Sequence, residues 1–169
     1  MRPLARMGDW FMRTILLALV TTVVACSGSS ADEPPAQVAG NYTLTITDNQ
    51  NGCNLENFTT NASQTGTMVA ITQSGGSLTA TAMHTSGLVL AFAAGDTLNG
   101  WIQGHDASVS ATSGRTQGGC VYTTTATANI TFSDTGMQGN IVYTDSGNGS
   151  SDCGVMQQCT STQTFTGSR

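Results

Sequence analysis

The chain contains no lysine, and only 9% of its residues are charged and 6% are aromatic. Three of its five arginines lie in the first 13 residues, so the part from Cys26 onward has two arginines against nine carboxylates, a net charge of −7. Proteins that bind nucleic acid neutralise phosphates with clustered lysine and arginine. The composition therefore excludes nucleic acid as a partner and disfavours adsorption to an anionic lipid surface.

The chain also lacks the short motifs of several enzyme classes. It has no G-x-S-x-G nucleophile elbow, no G-x-x-x-x-G-K phosphate loop and no H-E-x-x-H zinc motif. Its two histidines, His84 and His105, are predicted at opposite ends of the fold, about 20–25 Å apart, which is too far to share a metal ion. The acidic loop at residues 145–152 fails the spacing of a calcium loop. We therefore predict no enzymatic activity, no metal site and no cofactor.

The longest apolar run, residues 14–25, follows the early arginines. A positive start, an apolar core of about a dozen residues and small residues at its end define a secretory signal, and the run is shorter than the roughly 20 residues of a spanning helix. The run ends in Val23-Val24-Ala25-Cys26, which resembles the lipobox of bacterial lipoproteins. An ordinary signal peptide that happens to meet a cysteine is the alternative.

The lipobox resemblance implies that residues 1–25 are a signal peptide, cleaved between Ala25 and Cys26, and that Cys26 is lipidated. Two or three acyl chains make membrane anchoring effectively permanent. Ser27 after the cysteine favours the outer membrane in Gram-negative families. Residues 26–37 are small, polar and proline-containing, which predicts a flexible tether. Residues 38–169 are then a single folded domain by length.

The mature part has four cysteines besides Cys26. An even number in an exported chain predicts two disulfides, and the absence of a C-x₂-C pair argues against the rival interpretation as a zinc site. The four candidates are Cys53, Cys120, Cys153 and Cys159.

Alternation of apolar and polar residues predicts eight strands. Eight antiparallel strands with short connections predict an all-β, up-and-down barrel. The apolar residues 87–95 do not alternate. They could form a ninth, fully buried strand, but nine strands would force one parallel pair, so we predict a helical or irregular plug at residues 88–94. The predicted strands are 42–47, 67–73, 78–83, 97–103, 107–112, 120–132, 137–144 and 160–167.

Alternating strand directions place all four cysteines at the barrel end away from the tether, beside the plug. The connectivity stays open among three pairings. The sequence slightly favours Cys153–Cys159 with Cys53–Cys120, because the short loop between the first pair closes readily. The alternative, Cys120–Cys153 with Cys53–Cys159, would join neighbouring strands. Each bond is expected to stabilise the fold by roughly 2–4 kcal/mol.

Several short patterns resemble a group of small exported bacterial lipoproteins. They are N-G-C ending at Cys53, G-G-C-V-Y-T at residues 118–123, D-C ending at Cys153, and the closing stretch from Cys159 to Arg169. The resemblance covers most of residues 40–169 and implies a lipocalin-like barrel of unassigned function. Its motifs are cysteines and glycines, so it implies no catalytic residues.

Two functions remain as hypotheses. The first is an anchored envelope lipoprotein with a filled interior and a structural or protein-interaction role. The alternative is a lipocalin-like carrier whose small inward residues leave room for a small lipophilic ligand. A packed interior beside an exposed Trp101 would favour the first, and an apolar void of a few hundred Å³ would favour the second. The small inward residues are Ala80, Ala82, Gly100, Ala126, Ala128 and Gly139.

Overall fold

The computed structural model describes residues 33–83 and 94–169. Eight strands form one closed barrel in which every neighbouring pair is antiparallel and β1 pairs with β8. The predicted all-β, eight-stranded up-and-down barrel is thus confirmed. The strands are β1 (Gly40–Asn51), β2 (Ser63–Ser74), β3 (Ser77–Ala82), β4 (Thr97–Gln103), β5 (Asp106–Gln117), β6 (Cys120–Phe132), β7 (Gly136–Gly147) and β8 (Gln158–Ser168).

The sequence alternation that predicted the strands is also an alternation of burial. In β6, Thr124, Ala126 and Ala128 are buried, whereas Thr123 and Asn129 on the other face are exposed. Successive side chains of a strand point to opposite faces, so one face of each strand fills the barrel and the other meets solvent. Threonine dominates the solvent face because β-branched side chains suit strands and its hydroxyl tolerates water.

Three two-residue turns begin with a glycine in the left-handed region. The residues are Gly75, Gly104 and Gly118, with φ of 57°, 54° and 60°, and they join β2 to β3, β4 to β5 and β5 to β6. A positive φ at the first turn position is the geometry of a type II′ hairpin, which only glycine adopts at no steric cost. These turns fix the register of the strands that they join.

The barrel interior is filled by aromatic and aliphatic side chains. The rings of Tyr42 and Phe132 pack at 5.9 Å between centroids. Gly139 is required where β7 crosses a large side chain, because a Cβ there would collide with the carbonyl of Asn129 and lie 2.7 Å from Cζ of Phe165. The small inward residues thus make room for their large neighbours.

Both disulfides lie at one end of the barrel, which we call the disulfide end. Cys53 bonds to Cys159, and Cys120 bonds to Cys153. The favoured pairing, Cys153–Cys159 with Cys53–Cys120, is therefore wrong, and the alternative is correct. The reason is the segment Ser151–Gln157, two short 3₁₀ turns that meet at a kink at Gly154. It holds Cys153 against the start of β6, while Cys159 enters β8 beside β1.

The opposite end, which we call the hairpin end, carries the turns that follow β2, β4 and β6. Residues 33–39 run across it. The backbone N–H of Ala36 donates to the carbonyl of Gly104 at 2.8 Å. The side chain of Gln73 accepts from the N–H of Val38 at 2.9 Å and donates to the carbonyl of Ala36 at 2.8 Å.

The described part of the predicted tether therefore lies against the barrel. The guanidinium of Arg169 adds two hydrogen bonds of 3.4 Å, to the carbonyl oxygens of Gln37 and Ala39. Composition predicts a flexible tether over residues 26–37, but Ala36 and Gln37 are held to the barrel through their backbone groups, which composition does not report.

Residues 1–32 and 84–93 lie outside the described residues. They include the predicted signal peptide with its cleavage site, Cys26, His84 and all of the predicted plug except its last residue. That residue, Ala94, is 6% exposed and belongs to the apolar core. Among the described residues, no helix has the length and apolar character needed to cross a membrane.

Candidate functional site

The barrel interior leaves little room for a ligand within the described residues. An interior void of about 40 Å³ lies among apolar side chains that include Leu44, Val69, Leu98 and Met137. Pockets that take a small molecule usually measure about 300–1,000 Å³. The void among these residues is far smaller than such pockets, because large side chains such as Leu98 and Phe165 fill the space beside the small residues Ala80, Ala82 and Ala128.

A buried polar network crosses the interior between the apolar core and the disulfide end. Gln163, which is fully buried, donates from Nε2 to Oδ1 of Asp48 at 2.6 Å and accepts from the hydroxyl of Tyr143 at 2.7 Å. The other oxygen of Asp48 accepts from the N–H of Thr59 at 2.9 Å. Asp48, Gln163 and Tyr143 thus have hydrogen-bond partners although they are buried away from water. Their bonds hold the β1–β2 loop against β8.

Asp145 lies beside the Cys53–Cys159 disulfide. Its side chain is 3% exposed, and its Oδ1 is buried with no hydrogen-bond partner among the described residues. The two sulfurs and a carboxylate oxygen lie within 4.8 Å of one another, a set that could hold a metal ion if the sulfurs were thiolates. In this structure both sulfurs belong to the disulfide, so neither is available as a thiolate.

Burial raises the pKa of the Asp145 carboxyl above its ordinary value of 3.8, and a hydrogen bond with Thr124 and the charge of Arg115 oppose the shift. Ionisation of Asp145 therefore costs the folded state more than the unfolded chain. Its contribution to stability is complete below pH 3.8 and is lost as the pH rises through the raised pKa.

Asp145→Asn is expected to raise the free energy of unfolding at pH 7 by on the order of 1 kcal/mol, because an amide removes a buried charge with one unpartnered oxygen. The gain should disappear below pH 3.8, where the carboxyl is protonated in both states. Urea unfolding at pH 7 and pH 3.5 measures both values. Asp134→Asn, in an exposed turn, is the matched control. A loss of stability at pH 7 would contradict the assigned burial cost.

His105 lies at the hairpin end, as the sequence predicted. Its Nδ1 is 3.8 Å from Oε1 of Glu33, and both side chains are more than half exposed. The neighbouring Asp106 accepts instead from the hydroxyl of Thr131 at 2.8 Å. The first contact joins His105 to the segment 33–39, and the second joins Asp106 on β5 to β6. His105 and Asp106 therefore contact different partners and do not form one site.

The outer surface carries a groove of about 680 Å³ across β4 to β8, which we call the outer groove. Its long wall is a row of outward side chains in register on five neighbouring strands. Trp101 lies opposite Ser108, Ser108 opposite Asn129, Asn129 opposite Asn140, and Asn140 opposite Thr164. Trp101 is 53% exposed, although tryptophan side chains are usually largely buried.

Sequence reasoning singled out Trp101 but missed the rest of this row. The four polar residues come from strands far apart in the sequence, and each looks like any other outward residue of a threonine-rich strand. The signal that could have found part of the row is strand register: the turns at Gly104 and Gly118 set the β4–β5 and β5–β6 pairings that align Trp101, Ser108 and Asn129.

The fold and its bonds define a class of protein, a disulfide-stapled, eight-stranded antiparallel barrel. Disulfides form and persist in oxidising compartments, so the two bonds indicate an extracytoplasmic environment. No protein-family model, curated protein or solved structure matches the chain.

Proposed function

We propose that this protein is a lipid-anchored protein of the bacterial cell envelope that works by contact at the outer groove, without catalysis. One observation carries the proposal. The interior void is about 40 Å³, whereas the 680 Å³ groove beside the exposed Trp101 lies on the outside. A contact role needs space on the outer surface, whereas a carrier needs a large interior void.

The chemistry of the outer wall supports a contact role. Five neighbouring strands contribute to the groove, and the closed sheet holds them rigidly in register. Binding residues on rigid elements lose little freedom when a partner arrives. The two disulfides, at the other end of the barrel from Asp106, add to this rigidity without occupying the groove.

Native mass spectrometry tests the proposal against the carrier alternative. The probe is the chain from residue 27, exported behind a signal without a lipidation cysteine and purified without detergent. The expected spectrum shows the mass of the bare chain with two disulfides. A reproducible extra mass that leaves on denaturation and is identified as a lipophilic molecule would overturn the proposal in favour of a ligand in the barrel.

Cys26→Ser is expected to move the protein from the membrane fraction to the soluble fraction, because acyl chains on Cys26 are the proposed anchor. The measurement is membrane sedimentation of cells that express each form, followed by the intact mass of the recovered protein. Ser27→Ala, next to the proposed lipidation site, keeps the cysteine and should still sediment. Sedimentation of the Cys26→Ser protein with no lipid attached would show that another part of the chain holds it at the membrane.

A further inference from the structure

The outer groove offers hydrogen-bonding groups of one chemical kind. The row from Trp101 to Thr164 supplies two hydroxyls and two amides, and a parallel row nearer the hairpin end adds Thr131 and Gln138. An amide both donates and accepts, and a hydroxyl does the same. Within the described residues the side-chain amides of Asn129, Gln138 and Asn140 make no hydrogen bond to another side chain, and they are open to solvent.

Charge is nearly absent from this surface. Asp106 is the only ionisable residue among the groove residues, and no arginine or histidine lines the groove. A phosphate, sulfate or uronate chain would meet a carboxylate with no cation to balance it. A groove of this kind is complementary to an uncharged, hydroxyl-rich chain.

The length and the position of the aromatic ring agree with such a chain. From Trp101 to Thr164 the row crosses four strand spacings, about 19 Å, a span of several pyranose rings. Trp101 stands at one end with half of its surface exposed. The face of an indole ring is apolar, and the C–H face of a pyranose is apolar too, so the two can stack while the sugar hydroxyls reach the amides.

We propose that the outer groove binds a neutral polysaccharide chain, with Trp101 stacking on a sugar ring and Asn129 and Asn140 bonding to its hydroxyls. This inference rests on the proposed contact function and names the partner of the same groove. A protein partner is less well matched, because protein interfaces have an apolar, aromatic core and this groove has one exposed aromatic residue, Trp101, beside the buried ring of Phe165. A partner strand cannot extend the sheet either, since the barrel is closed.

Trp101 itself reports binding. The chain has two tryptophans, Trp10 and Trp101, so the protein from residue 27 contains Trp101 alone. We expect its fluorescence to change saturably with at least one of three neutral hexasaccharides: cellohexaose, chitohexaose and maltohexaose. Hexagalacturonate, the anionic counterpart, should give no saturable change. The absence of a change with all three neutral sugars, or equal binding of the anionic one, would overturn the proposal.

Variants separate the groove from the rest of the wall. Asn140→Ala should weaken binding about fivefold, which corresponds to the loss of one hydrogen bond. Trp101→Ala should abolish binding. Calorimetry measures both affinities, because it does not depend on the fluorescence of Trp101. Gln64→Ala removes an exposed amide from β2, outside the groove, and should leave affinity unchanged. Equal losses for Asn140→Ala and Gln64→Ala would overturn the assigned site.

A photo-crosslinking residue at position 166, which lines the groove and leaves Trp101 in place, distinguishes failure of this inference from failure of the proposed function. Crosslinking in living cells to a glycan supports the inference. Crosslinking to a protein overturns it but leaves the contact function standing. A lipophilic ligand in the native mass spectrum would overturn the proposed function itself, whatever the sugars do.

Discussion

Loss of the Cys53–Cys159 disulfide is expected to lower the free energy of unfolding by about 5 kcal/mol, and loss of Cys120–Cys153 by about 4 kcal/mol, from the entropy of the loops that they close. The sequence separations are 106 and 33 residues. The longer loop also joins β1 to β8, the pair that closes the barrel. Guanidinium unfolding of two variants, Cys53→Ala with Cys159→Ala and Cys120→Ala with Cys153→Ala, measures both losses.

The two double variants are controls for each other. Each replaces two cysteines with alanine, so the cost of the lost sulfur contacts largely cancels in the difference. Intact mass before and after thiol alkylation should show one remaining disulfide and no free thiol in each. Two free thiols in either variant would contradict the pairing. A larger loss for the Cys120–Cys153 variant would show that loop length does not control these energies.

Gln163→Leu is expected to cost about 3 kcal/mol, because it leaves the buried carboxylate of Asp48 without its side-chain donor. Leucine has nearly the same volume, so the loss is not a cavity effect. The hydroxyl of Tyr143 loses its acceptor in the same change. Urea unfolding at pH 7 measures the difference, with far-ultraviolet circular dichroism to show that the barrel still forms.

Thr162→Val is the matched control for that change. Thr162 lies on the same strand, one position away and on the opposite face, so its replacement should change stability by no more than about 0.5 kcal/mol. Asp48→Asn in the Gln163→Leu background should recover part of the loss, because it removes the unpaired charge. The Gln163–Asp48 hydrogen bond is contradicted if Asp48→Asn does not change the stability of the Gln163→Leu variant. It is also contradicted if Asp48→Asn lowers that stability as much as it lowers the stability of the wild type.

The fold could be predicted from the sequence because one face of every strand is apolar. Residues such as Ala126 and Ile130 alternate with threonine and asparagine along β6, and eight such segments with short connections favour an up-and-down barrel. Strand direction also placed the four cysteines at one end. It could not choose between their pairings, because the choice depends on the kinked segment Ser151–Gln157, which holds Cys153 away from Cys159.

The groove and the interior network were beyond sequence reasoning for a different reason. Gln163 and Asp48 are polar residues at inward positions, 115 residues apart, and nothing local marks them as partners. Trp101 and Thr164 are likewise brought together only by the register of five strands. Local patterns specify faces and turns, whereas these sites depend on long-range pairing.

The docked segment at the hairpin end sets a geometry for the protein on its proposed anchor. Ala36 is hydrogen-bonded to the barrel and Glu33 lies beside His105, so the chain between Cys26 and Glu33 reaches at most about 25 Å when fully extended. With Cys26 in the bilayer, the hairpin end must face the membrane and the disulfide end must face away. The outer groove includes Asp106 at the hairpin end, so it then lies close to the lipid headgroups. A polymer that lies along the membrane surface would be within reach of the groove.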